Sequence, residues 1–315
     1  MADPRDEPAP AEPGGAPWRL SLQAWIAIAI AAVLCAVVLT VWIRTTPPLA
    51  APTPTATVAP TRTAAPAPTP TPTPTVFGYP ANTTAYDVQT LPQVNVFTVL
   101  PALLVDDAPF GAFAGETVRA TGIGAPVFAD PAGAPVGYVP REFPYEGTTL
   151  PVVERQDNWV KVLLTGRQAV PSQGNPAQAA GWLRVQDVET AASDARVEVS
   201  ISAHTIEIVR GADRQLVSTD FAWGTSETPT PLGRTFIMYT AVVPEFAYTR
   251  GHPIVYFGVQ SPTLDGFGGA DVAITAFHYH DDHSGPISNG CLRLDAAAID
   301  TLAQLPLGTP IIVNP

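Results

Sequence analysis

The segment Phe277-His278-Tyr279-His280-Asp281-Asp282-His283-Ser284-Gly285-Pro286-Ile287-Ser288-Asn289-Gly290-Cys291-Leu292-Arg293-Leu294 sets three of the chain's five histidines beside one of its two cysteines. A free thiol is only about 3% thiolate at pH 7, so a nucleophilic cysteine needs a neighbouring base or positive charge. His278 or His283 meets that need. Gly290 permits a positive φ, and the backbone N–H groups of Gly290 and Cys291 are spaced to face a developing oxyanion together. Asp295 reads as the N-cap of a helix with Ile299, Leu302 and Leu305 on one face, whose dipole would favour a thiolate just upstream.

The same residues admit other chemistry. His278-Tyr279-His280-Asp281-Asp282-His283 fits the H-x-H-x-D-H pattern of metal-dependent hydrolases. No histidine follows His283, whereas such sites draw further ligands from downstream. Asn289-Gly290 also suits a two-residue hairpin turn, in which Cys291 is an ordinary strand residue.

Stepping outward, the elements that must hold this segment are strands. Val197, Val199 and Ile201 alternate with polar residues, Thr205 to Val209 forms a second strand, and Gly211-Ala212-Asp213 turns into Leu216 to Trp223. The prolines and glycines of Gly224 to Gly233 deny both helix and central strand before Thr235 to Thr240 resumes the pattern. An antiparallel meander is expected. Tyr248, Tyr256 and Phe257 fit either a substrate lid or core positions.

Ser288-Asn289-Gly290-Cys291-Leu292-Arg293 resembles the Ser-His/Asn-Gly-Cys-x-Arg signature of the L,D-transpeptidases, the YkuD-type catalytic domain. Thr228-Pro229-Thr230-Pro231-Leu232-Gly233 is similar to that family's Thr-Pro-x-Gly loop, and Leu305-Pro306-Leu307-Gly308-Thr309-Pro310-Ile311 to its closing turn and last strand. The resemblance implies a peptidoglycan transpeptidase whose Cys291 attacks the carbonyl before the D-alanine of a tetrapeptide stem, after which an amine of a neighbouring stem resolves the thioester. It implies catalytic roles for Cys291, His278, Ser288 and Gly290 and substrate contacts from Arg293, Asn289 and Tyr279, with no metal and no organic cofactor. Two departures stand out. Tyr279 follows His278 where the family has Gly or Ser, and the interval from His278 to Cys291 is short, which leaves His280 and His283 as alternative partners. A carboxypeptidase, in which water resolves the thioester, and a wall-binding protein without turnover remain compatible.

Upstream, Pro126-Val127-Phe128, Val136 to Val139, Leu150 to Val153, Trp159 to Leu163 and Gly181 to Val185 are short alternating runs bounded by turn residues. Their order resembles a bacterial SH3-like domain. Trp159 and Trp182 suit either a wall-binding surface or a core. Residues 81–120 carry no clear pattern.

The N-terminal part differs in kind. Ala24 to Ile43 carries no charge, lies between Arg19 and Arg44, and as a helix would span roughly 30 Å, with Trp25 and Trp42 at its two ends. No convincing cleavage site follows, so an uncleaved signal anchor is expected. Cys35 inside it reads as a lipid-facing or helix-facing thiol. Thr45 to about Pro80 is Thr, Pro and Ala almost throughout, an extended spacer that could reach on the order of 100 Å. The net charge of −12 arises after position 80, because Asp3, Asp6, Glu7 and Glu12 are balanced by Arg5, Arg19, Arg44 and Arg62. An acidic body argues against nucleic acid as a partner.

The expected architecture is mainly β: a cytoplasmic tail (1–20), a transmembrane signal anchor (21–44), a disordered Pro/Thr linker (45–80), an unassigned lead-in (81–120), an SH3-like small β-barrel (121–190), and an L,D-transpeptidase-like β-sandwich with a short C-terminal helix (195–315). Its expected place is a bacterial cell membrane, crossed once, with the catalytic domain on the wall side and peptidoglycan stem peptides as partners.

Overall fold

The computed structural model describes residues 77–315. The apolar run Ala24–Ile43 and most of the Pro/Thr linker lie outside the described residues. Among the described residues, no helix is long and apolar enough to cross a membrane.

Eight strands make the first β unit: β1 (Leu104–Val105), β2 (Glu116–Ala120), β3 (Gly124–Phe128), β4 (Pro135–Pro140), β5 (Leu150–Arg155), β6 (Trp159–Leu163), β7 (Ala179–Arg184) and β8 (Val188–Ala192). They run in the order β4-β3-β7-β6-β5-β2-β8, with β1 on β7, and all pairs are antiparallel. The patternless lead-in belongs to this unit. Val94, Val96 and Leu103 are buried in its core, and Phe77 and Tyr79 donate backbone N–H groups to the side chains of Asp157 and Gln156. Trp159 is fully buried and its indole N–H donates to the Pro80 carbonyl at 2.9 Å, while Trp182 is almost wholly buried beside it, so both tryptophans are core.

The second unit holds β9 (Arg196–Ser200), β10 (Thr205–Arg210), β11 (Asp213–Ser218), β12 (Ala222–Gly224), β13 (Gly233–Ala241), β14 (Ile254–Gln260), β15 (Ile274–Tyr279), β16 (Gly285–Ser288), β17 (Leu292–Leu294), helix α1 (Ala296–Leu302) and β18 (Pro310–Asn314). Their order is β11-β10-β9-β18-β13-β14-β15-β17-β12-β16. Strand β13 belongs to both halves of this ladder: Gly233–Phe236 pairs with β18, and a register shift after Ile237 turns the rest toward β14. The bend brings Val197, Val199, Ile206 and Ile208 of one half into a single core with Ile237, Phe257, Phe277 and Leu292 of the other. Apolar residues from both faces meet there, and α1 closes the core with Ala298, Ile299 and Leu302.

The meander expectation holds only for β9–β11 and β13–β15. β12 pairs parallel to β16, β15 to β17 and β18 to β9. The run Leu216–Trp223 is two strands, because Ser218 folds its hydroxyl onto the Asp220 carbonyl and backbone at the break. Periodicity reports faces, and says nothing about which distant strand supplies the neighbour.

Candidate active site

Parallel pairing of β15 with β17 places Phe277 opposite Leu292, His278 opposite Arg293 and Tyr279 opposite Leu294. Side chains alternate along a strand. Phe277, Leu292 and Leu294 therefore enter the core, while His278 and Arg293, with Cys291 one residue before β17, face the other way. There they line a cavity of about 200 Å³ with Ser288, Asn289, His280 and Tyr248; Leu264, Phe267, Ala273 and Ile274 form its remaining wall. Five of the seven expected site residues thus share one cavity, and Gly290 lies in the loop beneath it.

Cys291 is partly buried, and its thiol faces the Ile274 carbonyl at 3.9 Å. Burial pushes this thiol up, against the opposing influence of the Ala276 backbone and the Arg293 charge. Burial also lowers His278 from 6.5 to about 4, although its hydrogen bond to the Tyr279 carbonyl works the other way. Both shifts favour the uncharged form. They lean the resting site toward a thiol and a neutral imidazole.

His278 Nδ1 lies 2.9 Å from the Tyr279 carbonyl oxygen, which can only accept, so the ring proton sits on Nδ1 and Nε2 keeps its lone pair. His280 has the opposite arrangement. Its Nδ1 accepts the Asp282 N–H at 3.0 Å, which puts the proton of its neutral ring on Nε2 and makes that nitrogen a donor. His283 uses Nδ1 on the carbonyls of His280 (2.9 Å) and Asp281 (3.1 Å) and does not line the cavity. Of the three candidate partners, His278 alone presents a free base to the cavity in its neutral form. Tyr248 packs its ring edge-on against His278 at 5.3 Å, while Phe257 is core and Tyr256 is stacked on Tyr239.

The Ser288-Asn289-Gly290 loop is held from inside and from behind. Ser288, 1% exposed, donates its hydroxyl to the Cys291 carbonyl at 2.5 Å and accepts the Gly290 N–H at 3.1 Å. Gly290 has φ +111°, a backbone that L side chains rarely adopt. The Thr-Pro loop supplies the backing: the Thr225 N–H (3.1 Å) and the Thr228 hydroxyl (3.2 Å) both donate to the Ser288 carbonyl. The Thr230 hydroxyl accepts the Gly224 N–H at 2.9 Å and closes that loop on itself.

Three expectations need correction. Tyr279 lies on the core side of β15, where its hydroxyl donates to Asp281 at 2.6 Å and its ring packs against His252, so it is not a cavity residue. The Gly290 N–H is committed to Ser288 and is not turned to an oxyanion. Asp295 does cap α1, accepting the Ala298 N–H at 2.9 Å, but β17 separates that helix from Cys291 by about 10 Å, beyond the single turn over which its dipole acts. The metal pattern fares no better, because among the described residues no three His, Cys, Asp or Glu side chains converge as ligands would.

One wall went unread in the sequence. Phe267 and Ala270 pair across Gly268 and Gly269, whose φ values of +61° and +87° make a tight hairpin tip. The dipeptide Gly268-Gly269 was the available signal. The partner of this wall lies more than 90 residues upstream, and nothing local announces it.

A family model described as the YkuD L,D-transpeptidase catalytic domain matches residues 194–313. No curated protein matches the chain. Among solved structures, an L,D-transpeptidase from Mycobacterium smegmatis is 14% identical, with 50% of this chain and 91% of that one covered at a TM-score of 0.31. An L,D-transpeptidase from Mycobacterium tuberculosis H37Rv is 14% identical over 50% and 91% at 0.30, and one from Stackebrandtia nassauensis is 17% identical over 40% and 57% at 0.29. The likeness rests on that sequence match, which takes in 120 of the chain's 315 residues.

Proposed function

We propose that this chain cross-links peptidoglycan stem peptides through an acyl-enzyme on Cys291. The reading is carried by one observation: Cys291 and His278, whose Nε2 keeps its lone pair, line the same cavity, His278 opposite Arg293 in the β15–β17 register and Cys291 one residue before β17. As the Cys291 Sγ adds to the carbonyl carbon before D-alanine, its proton passes to His278 Nε2. Collapse of the tetrahedral adduct breaks the C–N bond, and His278 returns that proton to the departing amine. A side-chain amine of a second stem then adds to the thioester. Its proton passes through His278 to the leaving sulfur, and the resting thiol is restored.

A neutral thiol–imidazole pair suits this cycle, since it adds no charge of its own to the cavity before substrate arrives. Arg293 is the cation of the cavity. Its Nε is buried without a hydrogen-bond partner among the described residues, and the guanidinium suits a stem carboxylate or the developing oxyanion. Asn289 provides a neutral polar contact beside it.

The first β unit is read as an SH3-like module. Residues 21–44 are read as a signal anchor, and the Pro/Thr linker as a spacer that sets the catalytic domain on the wall side of a bacterial membrane. These readings rest on the sequence patterns above.

The test is the intact mass of the protein after exposure to a carbapenem, with Cys291→Ala alongside. A one-to-one adduct on the native chain, absent from the variant, is expected. A folded native chain that takes up no adduct would overturn the enzyme reading and favour a wall-binding protein.

A further inference from the structure

Arg167 belongs to the first β unit, in the loop after β6, yet its guanidinium lies against the cavity wall of the second. It is 1% exposed. Nη1 donates to the Leu264 carbonyl at 3.2 Å, and Nη2 donates to the Asp265 carbonyl and, at 3.2 Å, to the Asp271 carbonyl. These three oxygens lie on both arms of the hairpin whose tip carries Phe267 to the cavity.

The backbone beneath Arg167 is equally fixed. Its N–H donates to the Thr98 carbonyl and its own carbonyl accepts the Leu100 N–H, each at 3.0 Å. Gly166 turns the chain there at φ +80°, where a Cβ would stand 2.7 Å from the Asn95 carbonyl and 2.8 Å from that of Thr98. Two lesser ties run alongside. Ser172 donates its N–H (2.9 Å) and hydroxyl (2.5 Å) to the Asp265 carboxylate. Gln260 donates to the Val96 carbonyl at 2.9 Å and accepts the Ala273 N–H at 3.2 Å.

A guanidinium keeps its charge at any physiological pH, and its burial requires acceptors for its donors. Here Nη1 and Nη2 find hairpin carbonyls that otherwise have water as their alternative, while Nε is buried without a hydrogen-bond partner among the described residues. We infer that Arg167 is a positioning residue for the candidate active site: from the first β unit it fixes the Leu264–Phe267 wall at the width the bound acyl group meets. The opposite wall, with Cys291, His278 and Arg293, is held separately by the β15–β17 pairing and the Thr-Pro loop. Arg167 therefore governs how tightly the cavity grips its ligand, and leaves the thiol chemistry unchanged. What the cavity grips rests on the transpeptidase reading; the dependence of the wall on Arg167 does not.

The test compares the full chain with Arg167→Ala and Arg167→Lys by saturation kinetics of carbapenem acylation and by hydrogen exchange. Arg167→Ala raises the half-saturating concentration roughly 10- to 100-fold, leaves the limiting acylation rate and its pH dependence little changed, and speeds exchange of the 264–271 amides. Arg167→Lys falls between, because one ammonium keeps the charge without the planar fork. Unchanged half-saturation and exchange in both variants would overturn the inference, as would a lower limiting rate at constant half-saturation. If Arg167→Ala does not fold, Arg167→Lys decides on the same readouts. A native chain that forms no adduct sinks the transpeptidase reading instead, and the exchange comparison still judges the anchor.

Discussion

The Ser288 hydroxyl donates to the Cys291 carbonyl at 2.5 Å while accepting the Gly290 N–H at 3.1 Å, so one buried oxygen sets the backbone on both sides of the candidate nucleophile. Removing it strands a buried donor and a buried acceptor together. Ser288→Ala is expected to cost about 1–3 kcal/mol of stability. It should also lower the limiting rate of Cys291 acylation more than it weakens ligand binding, because Cys291 loses its aim and the cavity walls stay. Denaturant unfolding and saturation kinetics check the two halves separately, and a fall in binding alone would contradict this role.

His278 links the site to pH-dependent stability. Burial takes it from 6.5 in the unfolded chain to about 4 in the folded one. The unfolded chain therefore binds the proton first as pH falls, and the folded state loses ground between those values. Its contribution is complete above pH 6.5 and disappears as pH drops toward 4, a change on the order of 3 kcal/mol. His278→Asn keeps a donor for the Tyr279 carbonyl without a titrating ring, so the variant's stability should vary less across that window. Parallel curves for the two proteins would refute the assignment.

The uncharged resting pair has its own signature. Iodoacetamide requires thiolate, and burial pushes the Cys291 thiol up. Alkylation of Cys291, followed on its own peptide, should therefore be slow at neutral pH and rise only above the ordinary thiol range, with no shoulder near His278. A plateau at neutral pH would reveal a thiolate–imidazolium ion pair and reverse the proposed order of proton transfer.

How much of this the sequence disclosed depended on range. Ser288 through Arg293 and the Thr-Pro loop were legible because short motifs encode their own backbone, such as the positive φ that Gly290 adopts. The Asp295 cap was legible for the same reason. The Tyr279 side chain follows from alternation along β15, which turns it away from His278, and a motif matched residue by residue carries no such alternation. The parallel pairing of β18 with β9, the sharing of β13 and the reach of Arg167 to Leu264 depend on residues tens of positions apart, and even β15 and β17 pair across an intervening strand. Hydrophobic periodicity carries no record of such partners.

The last prediction concerns what joins the two β units. Arg234 opens β13 in the catalytic half, and its guanidinium pairs with Asp106 of the first unit through Nε at 2.8 Å and Nη2 at 2.7 Å, both side chains being almost fully buried. A third bond runs from Nη1 to the Ala112 carbonyl at 2.7 Å. Removing one member leaves the other charge uncompensated, so Asp106→Ala is expected to destabilise the chain by about 3–5 kcal/mol. Asp106→Leu combined with Arg234→Met removes both charges, and should recover much of that loss because the desolvation of two ions disappears with them. Phe236 and Met238 of β13 lie in the core of the first unit. Unfolding should accordingly remain one transition when followed by pulsed hydrogen exchange of the β6 and β7 amides, which report the first unit, and by accessibility of the Cys291 thiol. Two separated transitions in the native chain would show that the buried pair does not couple the units.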